Sequence, residues 1–196
     1  MIELQLPYRP AIPEDAFAMA ELVNIAGEGL PLFLWTDMAA PDETAWDIGQ
    51  SRATRETGAL SYRNAVIREQ DSGVVACLIG YPLEDKPERA HKADRSAIIV
   101  PLQELEDLAP GTWYVNVLAT YPRHRGRGYG SQLLSIAERI AVDFNKAGLS
   151  IIVSDANTGA RRLYERLGYK EHATRPMVKE GWENPGSNWV LLLKDV

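Results

Sequence analysis

The chain has a single cysteine, Cys77, so no disulfide can form within it and no cysteine cluster can hold zinc or an iron–sulfur centre. Its three histidines, His91, His124 and His172, are too scattered for a paired metal motif, and no metal is expected. Basic residues are in the minority, with 21 Lys and Arg against 27 Asp and Glu and a net charge of −6. A surface of that sign gains no bulk attraction to phosphate backbones, so nucleic acid is not an expected partner. No apolar run approaches the ~18 residues that cross a bilayer. The opening MIELQLPYRP has no charged segment ahead of an apolar one. No membrane association is expected, and the cytoplasm is the default location. Repeats and low-complexity tracts are absent as well. What remains is an ordinary globular composition, 45% hydrophobic and 24% charged over 196 residues. That length suits one domain over residues 1–196, able to bury ~70% of its unfolded surface without staples.

Along the chain, Ile2, Leu4 and Leu6 alternate with polar residues and predict a first strand. Pro13, Glu14 and Asp15 open a helix that Gly27 and Gly29 end, with Met19, Leu22, Val23 and Ala26 on its apolar face. Leu30 to Pro41 reads as a loop or short turn, and 42–57 as a helix. Tyr62 to Glu69 reads as a strand, Gln70 to Gly73 as a turn, and Val74 to Ile79 as a central strand covered on both faces. Residues 83–111 are the least regular, highly charged with Pro87 among the charges up to Arg95, and with a short helix at Pro101 to Leu108. A strand from Trp113 to Ala119 leads into a glycine-rich loop, Pro122 to Gly130. A helix at 130–147 follows, with Leu133, Ala137, Ile140, Ala141 and Phe144 on one face and Gly148 as its cap. Ser150 to Ser154 is a strand and Asn157 to Leu167 a helix stopped by Gly168. Tyr169 to Ala173 and Trp189 to Leu193 are closing strands. The pattern is mixed α/β (α+β), built on a single sheet flanked by helices.

The informative segment is Arg123-His124-Arg125-Gly126-Arg127-Gly128-Tyr129-Gly130. It joins a strand to the start of a helix, where unpaired N–H groups and a partial positive charge are exposed. Glycines let the backbone approach an anion, and three arginines add full charges. Together these make a site for a pyrophosphate or similar polyanion; a tight turn with solvated arginines is the plainer alternative. A P-loop would need Lys followed by Ser or Thr after the glycines, and none is there. A dinucleotide fingerprint would need Gly-x-Gly-x-x-Gly early in a βαβ unit, whereas Gly126, Gly128 and Gly130 alternate in the second half.

Leu118-Ala119-Thr120-Tyr121-Pro122, followed by Arg125, Gly128 and Gly130, resembles the cofactor motif of the GNAT superfamily of acetyltransferases. Asn157, Ala160, Tyr164, Gly168 and Tyr169 match that family's second motif, Asn-x-x-Ala-x-x-x-Tyr-x-x-x-Gly-Tyr/Phe. The opening from Arg9 to Asp15 is also similar to the family's start, so the resemblance runs nearly the length of the chain. It implies a mixed, mostly antiparallel sheet of about 6–7 strands in a GNAT-like fold, with acetyl-CoA as co-substrate. The cofactor-binding residues it implies are Leu118, Ala119, Thr120, Arg125, Gly126, Arg127, Gly128, Tyr129, Gly130, Ser131, Asn157 and Tyr164. Tyr164 is the implied catalytic residue.

The second motif also makes sense by itself. Asn157 and Tyr164 lie close to two helical turns apart, so both leave one face, with small Ala160 between them. Asn157 competes for a second role as helix N-cap, and Tyr164 for one as a core tyrosine. The expected reaction is attack of a primary amine on the thioester carbonyl. N–H groups around Leu118 to Thr120 would receive the charge on oxygen, and Tyr164 would protonate the departing thiolate. Glu28, Asp37, Glu106 and Asp155 are unranked candidates for the base, with a water chain as the alternative. The acidic balance, Phe33 and Trp35 would suit a cationic amine, but ordinary core and surface residues are the better reading. The loops at 27–41, 83–111 and 176–188 are expected to shape the acceptor site. The rival function is a non-catalytic CoA-binding regulatory module of the same fold. Trp182 and Trp189 leave a homodimer open, although packing of the last strand explains Trp189 as well.

Overall fold

A computed structural model of the chain describes residues 3–71, 73–86 and 96–196. Ile2, Ser72 and the charged stretch at 87–95 lie outside the described residues. The strands are β1 (Tyr8–Pro10), β2 (Ala65–Gln70), β3 (Gly73–Pro82), β4 (Trp113–Thr120), β5 (Gly148–Ser154), β6 (Lys170–Pro176) and β7 (Asn188–Asp195). The helices are α1 (Ala16–Ala26), α2 (Leu30–Met38), α3 (Ala45–Ala53), α4 (Val100–Glu106), α5 (Tyr129–Asp143) and α6 (Thr158–Arg166). The strands form one seven-stranded sheet in the order β1-β2-β3-β4-β5-β7-β6. The β1–β2, β2–β3, β5–β7 and β6–β7 pairs are antiparallel. β4 and β5 pair in parallel over three residues each, Trp113–Val115 against Leu149–Ile151. The expected mixed, mostly antiparallel sheet is what forms.

Two compact units share these elements, one made of Met1–Tyr81 with Asn116–Ile136, the other of Pro82–Val115 with Ala137–Val196. In the first, Met19, Leu22 and Val23 of α1 pack with Ile67, Cys77 and Ile79 of the sheet and with Val117 and Ala119 of β4. β3 is buried from Val75 to Ile79, as its continuous apolar run requires. Asp15, itself buried, ties the start of α1 to β1: it accepts from Arg9 at 2.7 and 2.9 Å and from the Ile12 N–H at 2.9 Å. Arg9 also reaches Glu69 of β2 at 2.7 Å. In the second unit, α4 packs on β5, β6 and β7. Leu149, Leu191 and Leu192 are fully buried there.

Several boundaries differ from the sequence expectations. The first strand forms at Tyr8–Pro10, where its backbone meets β2, and not over Leu4 and Leu6. Leu30 to Met38 is helix α2 and not a loop. Pro31 sits in its first turn, where the missing N–H costs nothing, and Gly29 supplies the left-handed entry at φ 89°. Trp35 on that helix is 3% exposed and meets Trp46 edge-on at 6.3 Å, so it is core and not available to a ligand. The expected helix at 42–57 contracts to α3, fixed at its start by reciprocal Thr44–Asp47 bonds. Tyr62 to Asn64 form a short 3-10 turn ahead of β2. α5 ends earlier than expected. Asn145 takes φ 53°, its N–H bonding to Val142 O and that of Lys146 to Ala141 O, a Schellman cap. Phe144 is therefore 51% exposed, off the apolar face. Gly148 is a strand residue, kept small because a Cβ there would lie 2.3 Å from the Lys194 carbonyl oxygen.

Candidate functional site

The sequence-predicted site residues fall into two groups, one in each unit. In the first unit β4 delivers Leu118, Ala119 and Thr120 to the loop, Ala119 buried and the other two half-buried. A 3-10 turn at Pro122–His124 reverses the chain. Arg123, Arg125, Gly126, Arg127 and Gly128 are all exposed. Gly126 and Gly128 have φ of 74° and 80°, and a Cβ on either would meet nothing within 4 Å. The backbone there lies open in a conformation that L side chains resist. α5 starts at once, so its first N–H groups, at Tyr129, Gly130 and Ser131, have no acceptor within the helix. Glycines of open approach, a helix N-terminus of 15 residues and three exposed arginines fit a pyrophosphate.

The loop's side chains divide their work. Arg125 Nε donates to Thr120 O at 3.3 Å, turning that guanidinium back onto the end of β4. His124 is buried; Arg123 Nε donates to its Nε2 at 3.1 Å, so Nε2 bears the lone pair and Nδ1 the hydrogen. Burial first, and then the charges of Arg123, Arg127 and Arg68, hold the His124 pKa below its ordinary value. Its Nδ1 is buried without a hydrogen-bond partner among the described residues. Tyr129 keeps its ring in the protein: its hydroxyl donates to Gln70 Oε1 at 3.1 Å, and the Arg68 guanidinium lies 3.6 Å from the ring centroid. What Tyr129 offers an anion is its backbone N–H. A cavity of about 550 Å³ opens beside the loop, lined by Ala18, Glu21, Val74, Tyr121, Pro122 and Arg123. Within it Tyr121 donates to Glu21 at 2.6 Å. Sequence reasoning gave Arg68 no place in the site, and it named His124 within the loop without a role of its own.

In the second unit Asn157 caps α6, its Oδ1 accepting from the Ala160 N–H at 3.1 Å. Tyr164 is 5% exposed. The helix ends in a second Schellman motif: the Gly168 N–H bonds Glu165 O, the Tyr169 N–H bonds Tyr164 O, and Gly168 takes φ 91°. That geometry brings the Tyr164 and Tyr169 rings to 5.8 Å. The spacing Tyr-x-x-x-Gly-Tyr is thus a helix terminus with its apolar clasp. The Tyr169 hydroxyl is buried without a partner among the described residues, and burial pushes its pKa far up.

Asp155, one of the candidate bases, is occupied. Its carboxylate accepts from the Ser187 N–H at 2.9 Å, the Asn188 N–H at 3.0 Å and Asn188 Nδ2 at 3.0 Å. Burial works to raise its pKa, but these donors outweigh it and hold the carboxyl below the usual range. Asp155 is therefore the staple of the 176–188 loop. Lys179 closes the same loop onto Asn184 O at 2.7 Å. A cavity of about 580 Å³ lies there, lined by Lys179, Trp182, Glu183, Asn184 and Pro185. Trp182 is buried and stacks on Trp189 within the chain, at 5.8 Å and 6°. Asp37 is exposed on α2, while Glu28 and Glu106 are half-buried.

Fold and loop together define an α/β protein with an open glycine turn at the head of a helix. The model of the acetyltransferase (GNAT) family matches residues 32–169, and the chain belongs to that family, whose chemistry is acetyl transfer. The crystal structure of an acetyltransferase is 23% identical, with 96% of this chain and 98% of that one covered at a TM-score of 0.67. An N-acetyltransferase from Staphylococcus aureus Mu50 is 20% identical over 95% of this chain and 99% of its own, with a TM-score of 0.64. A GNAT family acetyltransferase from Elizabethkingia anophelis with acetyl-CoA bound is 18% identical, covering 67% of this chain and 75% of its own at 0.50. At such identities the likeness concerns the fold. No curated protein matches the chain. No single helix among the described residues is long and apolar enough to cross a membrane.

Proposed function

We propose that the protein is a cytoplasmic N-acetyltransferase that moves an acetyl group from acetyl-CoA to a primary amine, with residues 1–196 acting as one catalytic domain. The observation that carries the reading is the open glycine turn at the head of α5, ringed by Arg123, Arg125 and Arg127. Membership of the family supports the chemistry, and the relative that holds acetyl-CoA supports the co-substrate.

When bound, acetyl-CoA supplies an activated thioester. The chain's own groups then have three tasks. N–H groups at Gly128, Tyr129, Gly130 and Ser131, with the arginines and Gly126, hold the pyrophosphate. N–H groups at Leu118 to Thr120 stabilise negative charge as it builds on the carbonyl oxygen. The amine gives up a proton to water as the C–N bond forms, and Tyr164 delivers a proton to the sulfur as the C–S bond of the resulting adduct breaks. Asn157 holds the cofactor's arm in addition to capping its helix.

Gly128→Glu places a side chain and a negative charge where the anion belongs. CoA affinity in calorimetry should fall by at least ~2 kcal/mol, about 30-fold, because charge-assisted hydrogen bonds are the strong ones. Unchanged affinity would sink the assignment. Thiol release from acetyl-CoA over an amine panel then separates the enzyme from a module that binds CoA without turnover.

A further inference from the structure

β2 carries a cation that the proposed chemistry leaves unused. The β2–β3 register shifts between Arg68 and Glu69. Irregularities of this kind re-aim the side chains beside them. Glu69 goes to Arg9, while Arg68 turns to the aromatic rings of Tyr8 and Tyr129. Its guanidinium carbon is 3.6 Å from the Tyr129 centroid and 5.8 Å from that of Tyr8. One Nη donates to Glu69 O at 3.2 Å, and Nε is buried with no hydrogen-bond partner among the described residues. A guanidinium placed this way is held by ring faces, on which its planar, delocalised charge stacks as a compact ammonium cannot, although either cation is attracted to them.

Tyr129 is the first residue of α5. Two more bonds fasten the same turn: Tyr129 to Gln70 of β2, and the Tyr8 hydroxyl to Gln132. The glycines ahead of it touch nothing where a side chain would stand. The direction of the loop's N–H groups is therefore set from the helix side. Arg68 also acts on the loop through its charge, since it is among the cations that disfavour protonation of His124.

We infer that Arg68 is a positioning residue for the CoA pyrophosphate: it shelves Tyr129 so that the first turn of α5 presents its N–H groups to the anion, and it backs the three loop arginines with a fourth cation. The inference rests on the CoA reading of that loop. Calorimetric titration with CoA of wild type, Arg68→Leu and Arg68→Lys tests it, alongside hydrogen exchange. Arg68→Leu should weaken CoA binding by about tenfold or more, and Arg68→Lys by roughly three- to tenfold, because charge survives but the stacking plane is lost. Exchange in Arg68→Leu should quicken at residues 126–132 and stay at the wild-type rate elsewhere. Should Arg68→Leu not fold, Arg68→Lys carries the comparison. Affinity within twofold of wild type in the Arg68 variants overturns the inference alone. So does an affinity loss accompanied by faster exchange throughout the chain, the mark of a merely structural role. A wild-type chain that does not bind CoA overturns the loop reading and this inference with it.

Discussion

At the scale of the residue, Tyr164 is both clasp and candidate acid. Its ring meets Tyr169 across the end of α6, so truncating it to Ala would loosen the helix terminus and blur any kinetic result. Tyr164→Phe keeps the ring and removes only the hydroxyl. If the hydroxyl protonates the leaving thiolate, kcat should drop by ~10²–10⁴-fold with the KM for acetyl-CoA nearly constant, as for an interaction made only in the transition state. Turnover within about fivefold of wild type would mean that the thiolate leaves unaided and is protonated by water. His124 gives a pH prediction with a definite sign. Its pKa is lower folded than unfolded, so below about pH 6.5 the unfolded chain binds the extra proton and gains stability relative to the native one. Melting temperature should therefore fall as pH drops from 7.5 to 5.5, and this component should vanish in His124→Gln. Parallel pH profiles for the two proteins would contradict it. Carboxylates such as Asp15, also held low, act in a separate, more acid window.

Elements show where sequence was informative. β3 was legible because a buried strand reads as an unbroken apolar run, β4 because Asn116 alone interrupts its apolar residues from Trp113 to Ala119, and the glycine turn because strand, glycines and helix occur in order. α6 was legible at both ends: Asn157 and Gly168 are short-range signals, each satisfied by bonds within four residues. α2 was hidden because Leu30 to Trp35 is apolar all round, leaving no period to read, and because Pro31 looks like a breaker when it stands in a first turn. Gly148 misled because two unrelated needs, a left-handed cap and a close backbone approach, select the same residue. Arg68 carried no local pattern for its role; its partners lie on β1 and α5, and only tertiary structure joins them. Asp155 is similar, with acceptor bonds more than thirty residues away. Asp155→Ala should destabilise the protein by roughly 1.5–3 kcal/mol, the scale of hydrogen bonds to a charged group. Limited proteolysis should then cut first within 177–187. A variant with wild-type denaturation midpoint and cleavage pattern would show the staple to be idle.

For the whole molecule, cofactor binding and stability are linked. CoA at about one hundred times its Kd should contribute ~2.7 kcal/mol to the folded state, enough to raise the melting temperature of a chain this long by roughly 5–10 °C. A melting curve unmoved by millimolar CoA would remove the proposed function at its root. The two compact units are interleaved along the chain, and that ordering reaches beyond the finished fold to the protein's manufacture. Met19, Leu22, Ile67 and Cys77 are covered in part by Val117 and Ala119, which the ribosome supplies only after an intervening stretch belonging to the other unit. At ~5–20 residues per second, the N-terminal half waits roughly 2–8 s between the synthesis of Tyr81 and that of Ala119. Through that interval the part of this core that Val117 and Ala119 cover in the finished protein stands open, so the order of synthesis, and not only the final packing, decides when the first unit can close.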